Sequence, residues 1–455
     1  MTSFDAAAPD PRSVAPALPT AAVVRITLVC FAVSMIDGFD TLMLSFVAPL
    51  LAKSLHIDHA ALGRVFGAGF IGTVLGSLIV GPLADRFGRR PMLLLALSVT
   101  GVFTLACAFA DSAGSLAALR FVGGLGLGGA IPAVAAITAE SSTAQRRSSL
   151  VILMFIGFPL GAVVGGAITA ALMMRFGWPF VFLMGGGCAL AAIVPVLLVI
   201  PSTPAVRRDV VTSATLSDDD TPRRGARSAI SRALGSFVGD LLADGRLAST
   251  LALWFGVLAS MILSGFLVSF MPTILNLNGI APDRAALGAV VLNFGAIAGA
   301  LLISTVVGRR IGPFVPVAIS FGCGALLVFG LGRVIGAGNA AFGMLFVVGA
   351  CLVGGQLTIP AIASRLFPTP VRAAGIGWTM AIGRTGSIIG PLVGGILLAQ
   401  KLPLDTLFAI AAVLALCGSL GIALVAAWHP RDDSDSRPRS SSFPVTHAES
   451  GNGKS

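Results

Sequence analysis

The sequence predicts an all-α membrane protein, with about twelve transmembrane helices in two pseudo-symmetric six-helix bundles. Three observations carry that expectation. First, the 455 residues are 56% hydrophobic and only 11% charged, where a soluble domain carries roughly 25% charge. Second, the apolar residues gather in runs of about 20, the length of a helix that crosses a bilayer, and not in the short alternating segments of a barrel. Third, landmarks of the first half recur in the second.

The apolar runs fall at about 21–50, 61–84, 92–110, 115–139, 150–173 and 179–200, then 249–275, 285–307, 314–334, 340–364, 373–399 and 404–428. Residues 1–20 form an N-terminal tail that is polar and Ala/Pro-rich, without the apolar core of a cleavable signal, so the first span is itself the insertion signal. Spans one to six make an N-terminal bundle over 21–200. A polar stretch, 201–248, separates it from a C-terminal bundle over 249–428. In that stretch Ile230, Leu234, Phe237, Val238, Leu241 and Leu242 share one helical face, as in an interfacial or an ordinary solvated helix. The tail 429–455 is rich in Ser and charge and reads as disordered.

The net charge of +10 lies in alternate loops. Arg86, Arg89 and Arg90 follow span two, Arg146 and Arg147 follow span four, Arg309 and Arg310 follow span eight, and Arg365 and Arg372 flank the gap after span ten. The other loops hold single charges such as Lys53, Arg175, Arg284 and Lys401. The positive-inside rule then puts both termini and the central stretch in the cytoplasm, in a multi-pass inner-membrane protein. No basic, aromatic-laced surface domain is present to bind nucleic acid.

The repeats support a duplication. Gly157, Gly161, Gly165 and Gly166 of span five recur as Gly386, Gly390, Gly394 and Gly395 of span eleven. Arg86-Phe87-Gly88 recurs as Arg310-Ile311-Gly312, and the seven-residue spacing of Glu140 and Arg147 recurs between Arg365 and Arg372. Two parallel six-helix repeats, with a site at their interface near mid-membrane, are one layout of secondary transporters.

The chemistry-bearing residues inside the spans are few. Asp37 and Asp40 lie three apart, on one helical face, inside the first apolar run. Each costs about 2.5–3.5 kcal/mol to insert. They either serve a function or pair with a buried Arg to hold helices together. Clear of the span ends the other charges are Arg120 and Arg384, with Glu140 at the end of span four. The four His lie in loops or tails and Tyr is absent, so an intramembrane proton carrier has to be Asp or Glu. Arg stays charged and grips a carboxylate bidentately, which suits an anionic substrate. Arg384 is the favoured substrate anchor; Arg120 either shares that role or neutralises Asp37 or Asp40. Asp40 is read as the main proton carrier, with Asp37 positioning or sharing the proton.

Aromatic walls are available in Phe39, Phe155, Trp254, Phe266, Phe294 and Trp378. Gln356 and Asn293 either donate hydrogen bonds to a ring hydroxyl or bridge helices. The six Cys show no ligand spacing and read as small core residues. No metal set, cofactor motif, nucleophile–base pair or GxxxxGK[ST] loop points to an enzyme or a primary pump.

The stretch Gly81-Pro82-Leu83-Ala84-Asp85-Arg86-Phe87-Gly88-Arg89-Arg90-Pro91 resembles the cytoplasmic loop signature of the major facilitator superfamily. Gly81 and Gly88 would permit a tight turn. Asp85 would meet a helix N-terminus or an Arg of the other half, and Arg86, Arg89 and Arg90 would anchor at anionic headgroups. With Glu140 and Arg147 these residues form the expected cytoplasmic gate. Arg309 stands where Asp85 would repeat, so the gate is asymmetric.

Asp37-Gly38-Phe39-Asp40 is similar to the first-helix signature of the aromatic acid:proton symporters in that superfamily. Leu119-Arg120-Phe121, followed by Gly123-Gly124-Leu125-Gly126-Leu127-Gly128, resembles their fourth helix. Gly375, Gly377-Trp378 and Gly383-Arg384 with Gly386 resemble their eleventh. The resemblance covers the transmembrane chain. It implies import of an aromatic carboxylate, benzoate- or hydroxybenzoate-like, with protons, by a monomer that needs no cofactor. It also implies Asp37 and Asp40 for proton coupling and Arg384, Arg120, Trp378 and Phe39 around the substrate. Transport of another organic anion, drug/proton antiport and a non-transporting solute sensor are the alternatives.

Overall fold

The structure, a computed structural model, describes residues 19–143, 146–201, 246–307, 314–367 and 371–428. The interfacial face between Ile230 and Leu242, the second loop copy at Arg309–Gly312, the central stretch 202–245 and the tail 429–455 lie outside the described residues, as does the Asp85 side chain.

Helices α1 (Thr20–Ser54), α2 (His59–Phe87), α3 (Arg89–Cys107) and α4 (Ala113–Glu140) form the first four crossings. Spans five and six are one continuous run, α5 (Arg147–Ala191) followed by α6 (Ile193–Val199). The 51-residue stretch Ser149–Val199 would be about 77 Å long as a straight helix, more than twice a bilayer core. Gly177 breaks it, at φ 78° and ψ 174°, a backbone region that a side chain disfavours, and Pro179 follows it. The stretch is therefore two crossings. The sequence reading had separated them by a loop.

In the second half α7 (Leu247–Leu277), α8 (Pro282–Val307) and α9 (Phe314–Val334) are single helices. Span ten is segmented into α10 (Asn339–Val348), a π-helical turn (Gly349–Val353), α11 (Gly354–Leu357) and α12 (Ile359–Leu366). Helices α13 (Arg372–Ala399) and α14 (Leu404–Trp428) complete the fold. Large apolar side chains such as Leu198, Phe109 and Leu326 are more than 70% exposed, which is stable only with lipid around them.

The glycine repeat does the same work in both halves. A Cβ at Gly157 or Gly161 would strike the backbone of Phe31 or Met35 on α1, and one at Gly165 would strike the Phe39 ring. On α13, a Cβ at Gly386 or Gly390 would strike the backbone of Leu258 or Ile262 on α7, and one at Gly394 the Phe266 ring. Bare backbone at these points lets each helix pair approach closely.

Contacts between the halves gather at one end. Gly63 and Gly67 of α2 meet Pro391, Leu392 and Gly395 of α13, and Gly166 of α5 meets Val290 of α8. The Phe66 and Phe270 rings sit edge to face at 5.5 Å. Ser45 Oγ of α1 donates to the Val268 carbonyl at 2.6 Å and the Ser269 carbonyl at 3.0 Å on α7. Pro272 lacks the N–H that would bond the Val268 carbonyl within the helix, so Ser45 fills a vacancy created in the opposite half. At the other end, where the described chain begins and ends, positions Gly81 and Gly377 face open space.

Candidate functional site

Asp40 and Arg120 form a sealed unit. Arg120 of α4 reaches Asp40 Oδ2 through Nη1 at 3.1 Å, and its Nη2 donates to the Asp40 backbone carbonyl at 3.0 Å. Thr104 Oγ1 of α3 donates to Asp40 Oδ1 at 2.7 Å. The two charged side chains are 8% and 3% exposed. Both carboxylate oxygens of Asp40 thus have a partner inside the first half. Of the two roles open to Arg120, the geometry matches neutralisation of Asp40.

Asp37 is also buried, at 6% exposure. It sits within electrostatic reach of Asp40 and of Arg384. No hydrogen bond or ion pair to its carboxylate is present among the described residues. Arg384 of α13 is half-buried and likewise makes no direct hydrogen bond or ion pair among the described residues. On an α-helix it shares a face with Pro391 and Gly395, the residues that touch α2. It therefore points toward the first half, about two turns in from Pro391. Asp37 and Arg384 lie roughly 22–26 Å along their own helices from the closed end, at about 1.5 Å per residue. The pair straddles the interface near mid-depth.

The aromatic candidates separate. Trp378 of α13 is 37% exposed and lies 6.2 Å from Trp254 of α7, ring to ring, with the planes tilted by 35°. The Trp254 indole N–H is buried without a partner. Phe39 goes elsewhere, which corrects the expectation that it lines the substrate space. It is buried in the first half's own core, against Gly165 and Gly185 of α5. The i+2 step from Asp37 turns it about 200° around α1, so it cannot face Arg384 with Asp37. Among the polar candidates, Asn293 Nδ2 donates to Ala289 O of its own helix at 2.8 Å, while Gln356 Nε2 donates to Ser260 O on α7 at 2.6 Å.

The loop signature folds mostly as its residues suggest. Gly88 takes φ 99° and links α2 to α3, its N–H bonding Ala84 O. Gly81 is not part of that turn; it lies inside α2. Arg89 pairs with Glu140 at 2.7 Å, Arg90 Nη2 donates to Leu197 O at 2.7 Å, and Arg147 Nε donates to Ala139 O at 3.1 Å. Arg86 is exposed and lies over the Phe87 ring. These bonds tie α3, α4, α5 and α6 together at the open end. No cluster of metal-ligand side chains is present among the described residues.

Comparison with known proteins places this arrangement. The profile of the Major Facilitator Superfamily matches residues 30–383. The chain belongs to the major facilitator superfamily. It is 32% identical to the gallate transporter of Pseudomonas putida, over 87% of this chain and 90% of the relative. It is also 32% identical to the 4-hydroxybenzoate transporter PcaK of Pseudomonas aeruginosa, over 82% of this chain and 86% of the relative. The crystal structure of the nucleoside transporter NupG shares the fold, with a TM-score of 0.67 at 14% identity, over 90% of this chain and all of that one. The major facilitator chain described here is thus a multi-pass membrane transporter and not an enzyme, with the two-bundle architecture of the superfamily.

Proposed function

We propose that the protein imports an aromatic carboxylate together with protons by alternating access. The observation that carries this reading is Arg384: a guanidinium at mid-depth between the halves, half-buried, and with no hydrogen bond or ion pair among the described residues. A substrate carboxylate can take both of its forks. Trp378 and Trp254 supply aromatic surface on the open side. The gallate and 4-hydroxybenzoate relatives support an aromatic acid as the class.

Proton coupling uses the acid pair. With Asp40 held by Arg120 and Thr104, Asp37 is the carboxylate free to exchange a proton, opposite the arginine that takes the substrate. This reverses the emphasis drawn from the sequence, where Asp40 was the carrier. A substrate anion on Arg384 removes the cation that faces Asp37, so proton and substrate would bind together. The two bundles, 21–200 and 249–428, rock about this site. The loop charges support an open end and both termini in the cytoplasm of an inner-membrane protein, and the proposed site draws on one chain alone, which supports a functional monomer.

The test is uptake into proteoliposomes of a panel of benzoate, hydroxybenzoates, other aromatic acids and non-aromatic dicarboxylates, with and without a proton uncoupler. Aromatic acids should accumulate, and the uncoupler should abolish accumulation. Accumulation of dicarboxylates alone, uptake indifferent to the uncoupler, or binding without accumulation would each overturn the reading.

A further inference from the structure

The geometry points to Gln356 as the residue that reads a ring hydroxyl of the substrate. This rests on the reading of Arg384 as the carboxylate anchor. The Ser260 carbonyl only accepts, so the amide group that faces it at 2.6 Å has to be the NH2. That bond spans two helices and fixes the amide plane. It leaves Oε1 with no donor bonded to it among the described residues, and Oε1 is not sealed among the buried unpartnered atoms. A carbonyl oxygen held this way is an acceptor waiting for an O–H.

Depth and local backbone agree with the assignment. Gln356 and Ser260 both lie roughly 26 Å along their helices from the closed end, at about 1.5 Å per residue, the level of Asp37 and Arg384. Directly before Gln356 the helix widens into the π turn Gly349–Val353. The extra residue of a π turn rotates everything after it by about 100°. Ser320 Oγ of α9 captures the Cys351 carbonyl in that turn at 2.7 Å. Gly354 and Gly355 then let the chain press against α8 and against the Phe321 ring. Without that rotation Gln356 would not meet Ser260.

Gln356 is 7% exposed, so an acceptor there is screened from water, and a substrate lacking the hydroxyl leaves it unpaired. An ether in the same place offers no proton and should be refused.

The experiment is uptake of benzoate and of the three monohydroxybenzoates by wild type, Gln356→Met and Gln356→Asn. The wild type should prefer one hydroxylated isomer to benzoate. In both variants the ratio of kcat/KM for that isomer to kcat/KM for benzoate should fall about 3- to 10-fold, the equivalent of one neutral hydrogen bond, while benzoate itself changes less than about twofold. The methoxy analogue of the same isomer should be a poor substrate of wild type and gain in Gln356→Met. A residue that only bridges helices would lower all substrates alike and leave the ratio unchanged, which overturns the inference, as does a wild type that favours no hydroxylated isomer. Failure of the wild type to move any aromatic acid is a different outcome. It removes the functional reading itself, and the inference with it.

Discussion

The two halves use one scaffold and charge it in opposite places. On the α1–α5 pair and again on the α7–α13 pair, three glycines seat the same three turns of the partner helix, which fixes the register between the copies. In that register Gly38 matches Gly265, and Asp37 therefore matches Ser264. Arg384 matches Phe155. The first half places an acid on its leading helix and an aromatic ring across from it. The second places a hydroxyl there and a cation across from it. Duplication accounts for the shared scaffold, and divergence at two positions puts one acid and one cation within electrostatic reach of each other across the interface. The remaining acid, Asp40, has its own arginine inside the first half and contributes a fixed structure.

The largest expected effect tests that division between a sealed and an open arginine. Arg120→Ala leaves the Asp40 carboxylate buried without its counter-charge, and breaking a buried pair from one side costs about 3–5 kcal/mol. The variant should unfold at much lower temperature in detergent. The double variant Arg120→Ala with Asp40→Asn should recover most of that loss, because the unpaired charge is gone. Arg384→Ala should change the melting temperature little while uptake of the aromatic acid collapses. Equal destabilisation by the two single arginine variants would erase the contrast.

The two acids separate in the same way. Asp37→Asn should keep substrate exchange across the membrane but lose accumulation against a gradient, with the steady-state ratio falling toward one. Asp40→Asn should appear first as lost stability, since Thr104 and Arg120 both give up a charged acceptor. If instead Asp40→Asn exchanges without accumulating and Asp37→Asn still accumulates, the proton route runs through the sealed pair, and the comparison between the halves is drawn at the wrong residue.

Much of this was legible in the chain and some was not. Twelve apolar runs and the duplicated glycines are one-dimensional signals, because a membrane helix has to be apolar for its whole length and small where another backbone crosses it. The four charges were visible for the same reason: an ionised residue in a span stands out. Their pairing was not, because it depends on which way each helix is rotated. Arg120 could have served substrate or Asp40, and only the approach of α4 and α3 to α1 decides it. Phe39 looked like cavity lining because it adjoins the acids in sequence, yet its place around the helix sends it into α5. The π turn of span ten leaves no compositional trace, since Gly349–Val353 is as apolar as its neighbours. Neither does the vacancy that Pro272 opens for Ser45, which lies 223 positions away.

That vacancy supplies the smallest and most specific expected effect. Ser45 bonds the Val268 carbonyl only while the closed end stays closed, because the bond crosses between halves. Ser45→Ala removes one neutral hydrogen bond, about 0.5–1.5 kcal/mol, from this state alone. The population open at that end should rise about 2- to 12-fold, with little change in unfolding temperature, since the carbonyl can find water once the end opens. Spin-label distances across that end, between labels beyond Ser54 on α1 and beyond Leu277 on α7, report the shift directly. Ser260→Ala is the matched control: its hydroxyl donates to Val257 O on its own helix, so no state is favoured by the bond. A shift in the control as large as in Ser45→Ala would mean that loss of a hydroxyl on these helices acts through helix stability and not through the latch between the halves.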